Sequence, residues 1–134
     1  MKRFSLSLIL GFITNNLFAS LIAMFFLNPL LNSMFNGIVR SPKEGLKVFS
    51  LLSGYFLLTL FMVIRYKYFS LKQNWLKKGV IWGAFIGFII FISGHLIVAG
   101  WAKTPLVPMF ISGIFDSLST IATGVVIAYI YKNE

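Results

Sequence analysis

Two ionisable side chains, His95 and Asp116, stand inside long apolar runs of this 134-residue sequence. A carboxylate at such depth is costly in hydrocarbon, so it either pairs or marks a pathway for protons or cations. At about 1.5 Å per residue, His95 falls near the depth of Asp116 on the neighbouring run. An aspartate that accepts from a histidine is cheaper to bury than either group alone. The spacing around Asp116 adds to the signal. At about 100° per residue, Ser112, Asp116, Ser119, Thr120 and Thr123 share one side of a helix. Gly113 and Gly124 continue that side, while Ile111, Ile114, Phe115, Leu118, Val125 and Tyr129 take the other. Such an arc is either a helix–helix seam of small and hydroxylated residues or the lining of a polar path.

The remaining runs carry weaker sets. Asn15 and Asn16 fall near the middle of the first, where Ser7, Gly11, Asn15, Ala19 and Ala23 make one small or polar edge. The expectation is that Asn15 reaches the fourth helix and that Asn16 finds a partner around Ser20. Asp116, His95, Asn15, Asn16 and Thr120 together form the candidate intramembrane polar site. Gly79, Gly83 and Gly87 make two overlapping GxxxG steps in the third run. With Gly113 and Gly124 they are the candidate helix-packing positions, because glycine lets backbones approach closely. The second run offers Ser50, Ser53, Gly54, Tyr55 and Thr59.

No enzyme motif is present. The sequence has no Walker loop, no HExxH, no paired carboxylates and no nucleophile with an evident base. His95 and Asp116 lack the third component that an acid–base site would need. The reading is therefore non-enzymatic, with no catalytic residue and no cofactor. There is no cysteine, so disulfides, thiolate metal sites and lipoprotein anchors are excluded. One histidine and three acids (Glu44, Asp116 and Glu134) leave almost nothing for a metal site.

The elements that must hold these residues follow from composition. Hydrophobic residues reach 58% and charged residues only 11%, against about 45–50% and 25% in ordinary globular chains. Too few charges remain to coat a soluble fold of this size. Four apolar runs, at about 4–27, 46–64, 79–101 and 107–131, each approach the roughly 20 residues that a helix needs to cross hydrocarbon. Only helices or closed barrels satisfy their backbone there, and unbroken runs without alternation are helices. The fold class read from sequence is all-α, a single polytopic membrane domain built as a four-transmembrane-helix bundle. Met1-Lys2-Arg3 resembles a signal-peptide start, but the apolar stretch after it exceeds the usual 7–15 residues. An uncleaved first span is expected.

Lysine and arginine set the orientation. Lys2, Arg3, Arg65, Lys67, Lys72, Lys77, Lys78 and Lys132 lie on one side; Arg40, Lys43, Lys47 and Lys103 lie on the other. Both termini and the middle connection are therefore predicted to be cytoplasmic, with an interfacial belt of Tyr66, Tyr68, Phe69 and Trp75. The net charge of +9 belongs to these short flanks, which suits anionic lipid headgroups rather than nucleic acid. Pro29 is expected to end the first helix, with Leu30, Leu31, Met34, Phe35 and Ile38 lying along the outer surface or over the mouth of the bundle. A faint echo at an offset of 76 pairs Gly11 with Gly87, Pro29 with Pro105 and Gly37 with Gly113, as a parallel duplication would.

The second half carries a further pattern. Lys78-Gly79, Gly83, Gly87, Pro105, Pro108, Asp116, Gly124 and the closing Ala128-Tyr129-Ile130-Tyr131-Lys132 resemble small uncharacterised bacterial four-span proteins of the domain-of-unknown-function type. That resemblance implies a multi-pass protein of the bacterial inner membrane and supplies no activity. In length and span number the chain is also similar to the small multidrug resistance transporters. Their first helix carries an embedded glutamate where this one has Asn15 and Asn16, so their proton-coupled mechanism does not carry over. The function expected from sequence is a helical bundle acting through helix contacts, as a homo-oligomer or with a membrane protein partner. A small transporter or channel using Asp116 and His95 is the alternative.

The topology is directly testable, since the chain has no native cysteine. Lys72→Cys and Lys103→Cys should label from opposite sides of the membrane with an impermeant maleimide. Labelling of both from one side would refute the assignment.

Overall fold

In a computed structural model, residues 2–31, 33–34, 45 and 47–133 are described. Every regular element among them is helical. Four helices are long and apolar enough to cross a membrane: α1 Lys2–Leu31, α2 Val48–Tyr66, α3 Trp75–Trp101 and α4 Leu106–Tyr131. Their starts follow local chemistry. Asn74 caps α3 by accepting from the Lys77 backbone N–H at 2.8 Å, which begins the helix before the expected position 79. Pro105, with φ −68° and extended ψ, precedes α4. Pro108 then sits in the first turn, where its missing N–H leaves no bond unmade.

Pro29 does not end α1. Helical structure continues to Leu31, and Ala23–Leu27 directly before Pro29 forms a π turn in which the Asn28 N–H reaches the Ala23 carbonyl. A proline ring normally clashes with the carbonyl four residues back, and the wider turn relieves that clash. The extra residue also rotates the end of the helix, so Leu31 is buried instead of lying along the surface; Leu30 and Met34 are exposed. Phe35, Gly37, Ile38, Arg40, Lys43, Glu44, Leu46 and Glu134 lie outside the described residues. The offset-76 echo is not matched structurally at the prolines, because Pro29 is inside a helix and Pro105 precedes one.

α4 is the central element. α3 packs against it most intimately, and α1 covers another side. The α3–α4 seam is antiparallel and glycine-lined. A Cβ at Gly79 would stand 2.8 Å from the Gly124 carbonyl oxygen, and one at Gly83 would stand 2.5 Å from the Ile121 Cα. One at Gly87 would meet Ser117 Cβ at 2.6 Å, and one at Gly124 would meet the Gly79 carbonyl oxygen at 2.5 Å. Gly79, Gly83 and Gly124 permit backbone-to-backbone contact that no other residue allows, and Gly87 makes room for the Ser117 and Thr120 side chains. A Cβ at Gly113 would stand 3.0 Å from the Ile92 Cα and 3.1 Å from the Phe91 carbonyl oxygen.

α2 is held mainly at one end. Its buried residues are Thr59, Met62, Val63 and Tyr66. With Trp82, Ile86, Ile127, Ala128 and Tyr131 the last three form an aromatic-rich core at the lysine-rich end. There Phe69 lies 4.8 Å from the Trp82 ring. Toward the other end a groove of about 350 Å³ separates α2 from α3, lined by Ser50, Leu51, Gly54, Tyr55 and Leu58 against Ile90 and Phe91. The outward faces of all four helices are apolar, with Ile9, Ile13, Leu57, Ile97 and Leu118 among the exposed side chains.

Gly83→Ala should destabilise the bundle by about 1–3 kcal/mol or more, since the added Cβ meets α4 backbone that cannot yield. Gly94→Ala meets open space and should be neutral or stabilising, alanine being the better helix former. Thermal unfolding in detergent reads both. Equal effects would show that the glycine seam is not what holds α3 to α4.

Candidate intramembrane polar site

His95 and Asp116 meet. The His95 Nε2 lies 3.5 Å from Asp116 Oδ2, within ion-pair range and longer than a tight hydrogen bond. Each side chain retains about a fifth of its surface exposed (23% and 19%). Two features of the helices bring them together. Side chains lean toward the N-terminus of their own helix, so on antiparallel α3 and α4 His95 and Asp116 lean toward each other. The second feature is a π turn at Phe88–Ile92, where the Ser93 N–H reaches the Phe88 carbonyl. In a regular helix His95 would stand ~80° from the Gly87 direction, at about 100° per residue. One extra residue in the turn brings it within ~20° of that direction. The turn therefore aims His95 along the glycine seam, and Gly113 makes room for the displaced backbone.

Protonation follows from the other ring nitrogen. His95 Nδ1 lies 2.6 Å from the Phe91 carbonyl oxygen. A carbonyl only accepts, so Nδ1 carries a proton and donates. One further proton, on Nε2 or on Oδ2, completes the contact with Asp116. Either placement leaves the pair without net charge; without that proton two acceptors would face each other.

The other sequence candidates lie elsewhere. Asn15 is fully buried, and its Nδ2 donates to Thr59 Oγ1 of α2 at 3.4 Å, not to α4 as expected. The reason is that the Gly11 edge of α1 rests on a three-helix junction, touching Thr59 and Thr123 together. Thr123 has spent its hydroxyl proton on the Ser119 carbonyl, so it has none to donate to the Asn15 carbonyl oxygen. Asn15 Oδ1 has no protein partner. Asn16 donates to the Phe12 carbonyl of its own helix at 2.8 Å, rather than to a group near Ser20. Thr120 is buried under Gly87 and donates to the Ser117 carbonyl at 2.8 Å, so it does not serve Asp116.

That pattern extends along α4. Ser117 donates to Gly113, Ser119 to Asp116 and Thr123 to Ser119, all to carbonyls of the same helix. Such bonds satisfy a hydroxyl locally, and they leave the arc small rather than adhesive. Tyr55 of α2, whose sequence signal was faint, lines the α2–α3 groove against Ile90 and Phe91. A tyrosine in an apolar run, with its polar tip in need of a partner, was the available clue. Among the described residues no three His, Cys, Asp or Glu side chains gather as a metal site.

Comparison with known proteins adds no relative: no family model, no curated protein and no solved structure matches the chain.

A double-mutant cycle on His95→Leu and Asp116→Leu should give a coupling of about 1 kcal/mol, each single change costing about 1–3 kcal/mol by orphaning its partner. Asp116→Asn, which keeps a hydrogen-bonding group at the same place, should lose less than Asp116→Leu. Strict additivity in the cycle would mean the two side chains do not interact.

Proposed function

We propose that this chain is a multi-pass protein of a bacterial cytoplasmic membrane, with both termini and the 67–74 connection on the cytoplasmic side. In this reading it is not an enzyme; it works as a four-helix bundle through helix contacts, as a homo-oligomer or as a subunit of a larger membrane assembly. The orientation rests on the distribution of lysine and arginine. The carrying observation for the bundle reading is the state of the α4 hydroxyls. Ser117, Ser119, Thr120 and Thr123 are buried and bonded back to their own helix, as in a packing seam. A water-lined path would leave such groups facing a lumen.

A second reading has one observation in its favour. His95 and Asp116 lie 3.5 Å apart and stay partly exposed, which suits a small proton- or cation-coupled transporter or channel. Sizing by light scattering and flux in liposomes separate the two. The bundle reading expects particles larger than the 15.1 kDa chain, and no pH-driven flux. A monomer that moves protons or cations, with flux abolished in a well-folded Asp116→Asn variant, would replace it with the second reading.

A further inference from the structure

The lysine-rich end holds a polar cleft that the helix seam does not use. Its volume is about 240 Å³, and Tyr66, Lys67, Lys78 and Tyr131 line it. Three elements converge there: Lys67 directly follows α2, Lys78 is in the first turns of α3, and Tyr131 closes α4. The two tyrosine rings lie 5.6 Å apart and carry one ammonium each. Lys78 Nζ stands 4.8 Å from the Tyr66 ring centre, and Lys67 Nζ stands 5.6 Å from that of Tyr131. Cation–π contact holds the two charges in place, but it provides no oxygen acceptor for their N–H groups. Neither ammonium has a carboxylate partner among the described residues.

Tyr131 supplies the independent sign of a ligand. The residue is only 6% exposed, and its hydroxyl is buried without a protein partner. Buried donors are rarely left unmade. Two fixed ammonium groups and an unused hydroxyl around one cleft call for an anion with several acceptor oxygens. A phosphoryl group meets that description with charge-assisted hydrogen bonds. The depth also fits, because the aromatic and lysine residues that flank apolar helices sit at headgroup level.

We propose that the cleft between Lys67, Lys78 and Tyr131 binds a phosphoryl anion, presented by the headgroup of an anionic phospholipid or as free phosphate. The site is independent of His95 and Asp116 and stands whether the bundle is an assembly subunit or a transporter. Basic pockets between membrane helices on the cytoplasmic side suit such headgroups.

Delipidated protein in a neutral detergent is titrated with phosphatidylglycerol, phosphatidylcholine or inorganic phosphate, with melting temperature and native mass spectrometry as readouts. Phosphatidylglycerol should raise the melting temperature and remain bound in the mass spectrum, and phosphatidylcholine should do neither. A response to inorganic phosphate alone would identify free phosphate as the source of the same anion. Lys67→Gln with Lys78→Gln should weaken binding roughly thirtyfold, from the electrostatic contribution of two lysines near the surface. Tyr131→Phe should weaken it less and leave the fold intact, since only an unpartnered oxygen is removed. Lys67→Arg with Lys78→Arg should retain binding, separating lost charge from lost fold. No response to any phosphate source, or a response unchanged in the double glutamine variant, would overturn the proposal.

Discussion

The contact between the α3 and α4 backbones sets the geometry of everything else. Gly79, Gly83 and Gly87 face Gly124, Thr120 and Ser117 so closely that a single added carbon would collide with the facing helix. Between helices with apolar outer faces, burial of hydrophobic surface gives little preference for one arrangement over another. Close van der Waals approach, which only small residues permit, then decides the pairing. The hydroxyls of α4 contribute by being small and already satisfied. Each bonds to its own helix, so none demands a partner that would hold the backbones apart.

A seam this tight leaves no space for large polar side chains along its length. His95 and Asp116 can meet only because the π turn at Phe88–Ile92 changes the phase of α3 beyond Gly87. The displaced backbone would collide with any bulky neighbour, and Gly113 lies opposite. Bulge, glycine and ion pair are thus one device. The same logic acts in α1, where the π turn at Ala23–Leu27 accommodates Pro29 and returns Leu31 to the buried side. In both helices an irregular turn carries a packing face across a place where the 3.6-residue period would lose it.

The sequence was legible where a property is local or periodic. Length and apolarity located four helices to within a few residues at most ends. The GxxxG steps located the glycine seam, and the arc around Asp116 separated the buried Ser112, Ser119, Thr120 and Thr123 from the exposed Ile114, Leu118 and Tyr129. The proximity of His95 to Asp116 was also readable from depth alone. A regular period could not convey the phase change at each π turn, and hence the fate of Leu31 and the aim of His95. Hydrogen-bond partners were equally opaque, because Asn15 lies at a junction of three helices where Thr59 and Thr123 are both at hand, and packing decides which of them accepts. Tyr55 was visible only as one member of the weak polar set of the second run, because its place in the groove comes from where α2 lies, and α2 carries little pattern of its own.

That weak pattern has an energetic counterpart. The buried residues of α2 all fall in its second half, from Thr59 to Tyr66, where the aromatic core gathers helix ends around Trp82. The first half touches the remainder across apolar grooves. Local opening costs least where few side chains are buried, so the first half of α2 opens at low cost, as does the 88–101 stretch of α3, which buries none. Tyr55 belongs to that half of α2 and faces Ile90 and Phe91 across the groove. The His95–Asp116 pair lies just beyond the glycine seam, where α3 buries no residue of its own. A tight seam along Gly79, Gly83 and Gly87, with a looser half of α3 that carries His95 and a loosely attached first half of α2 beyond it, is the division of labour that the glycine seam imposes.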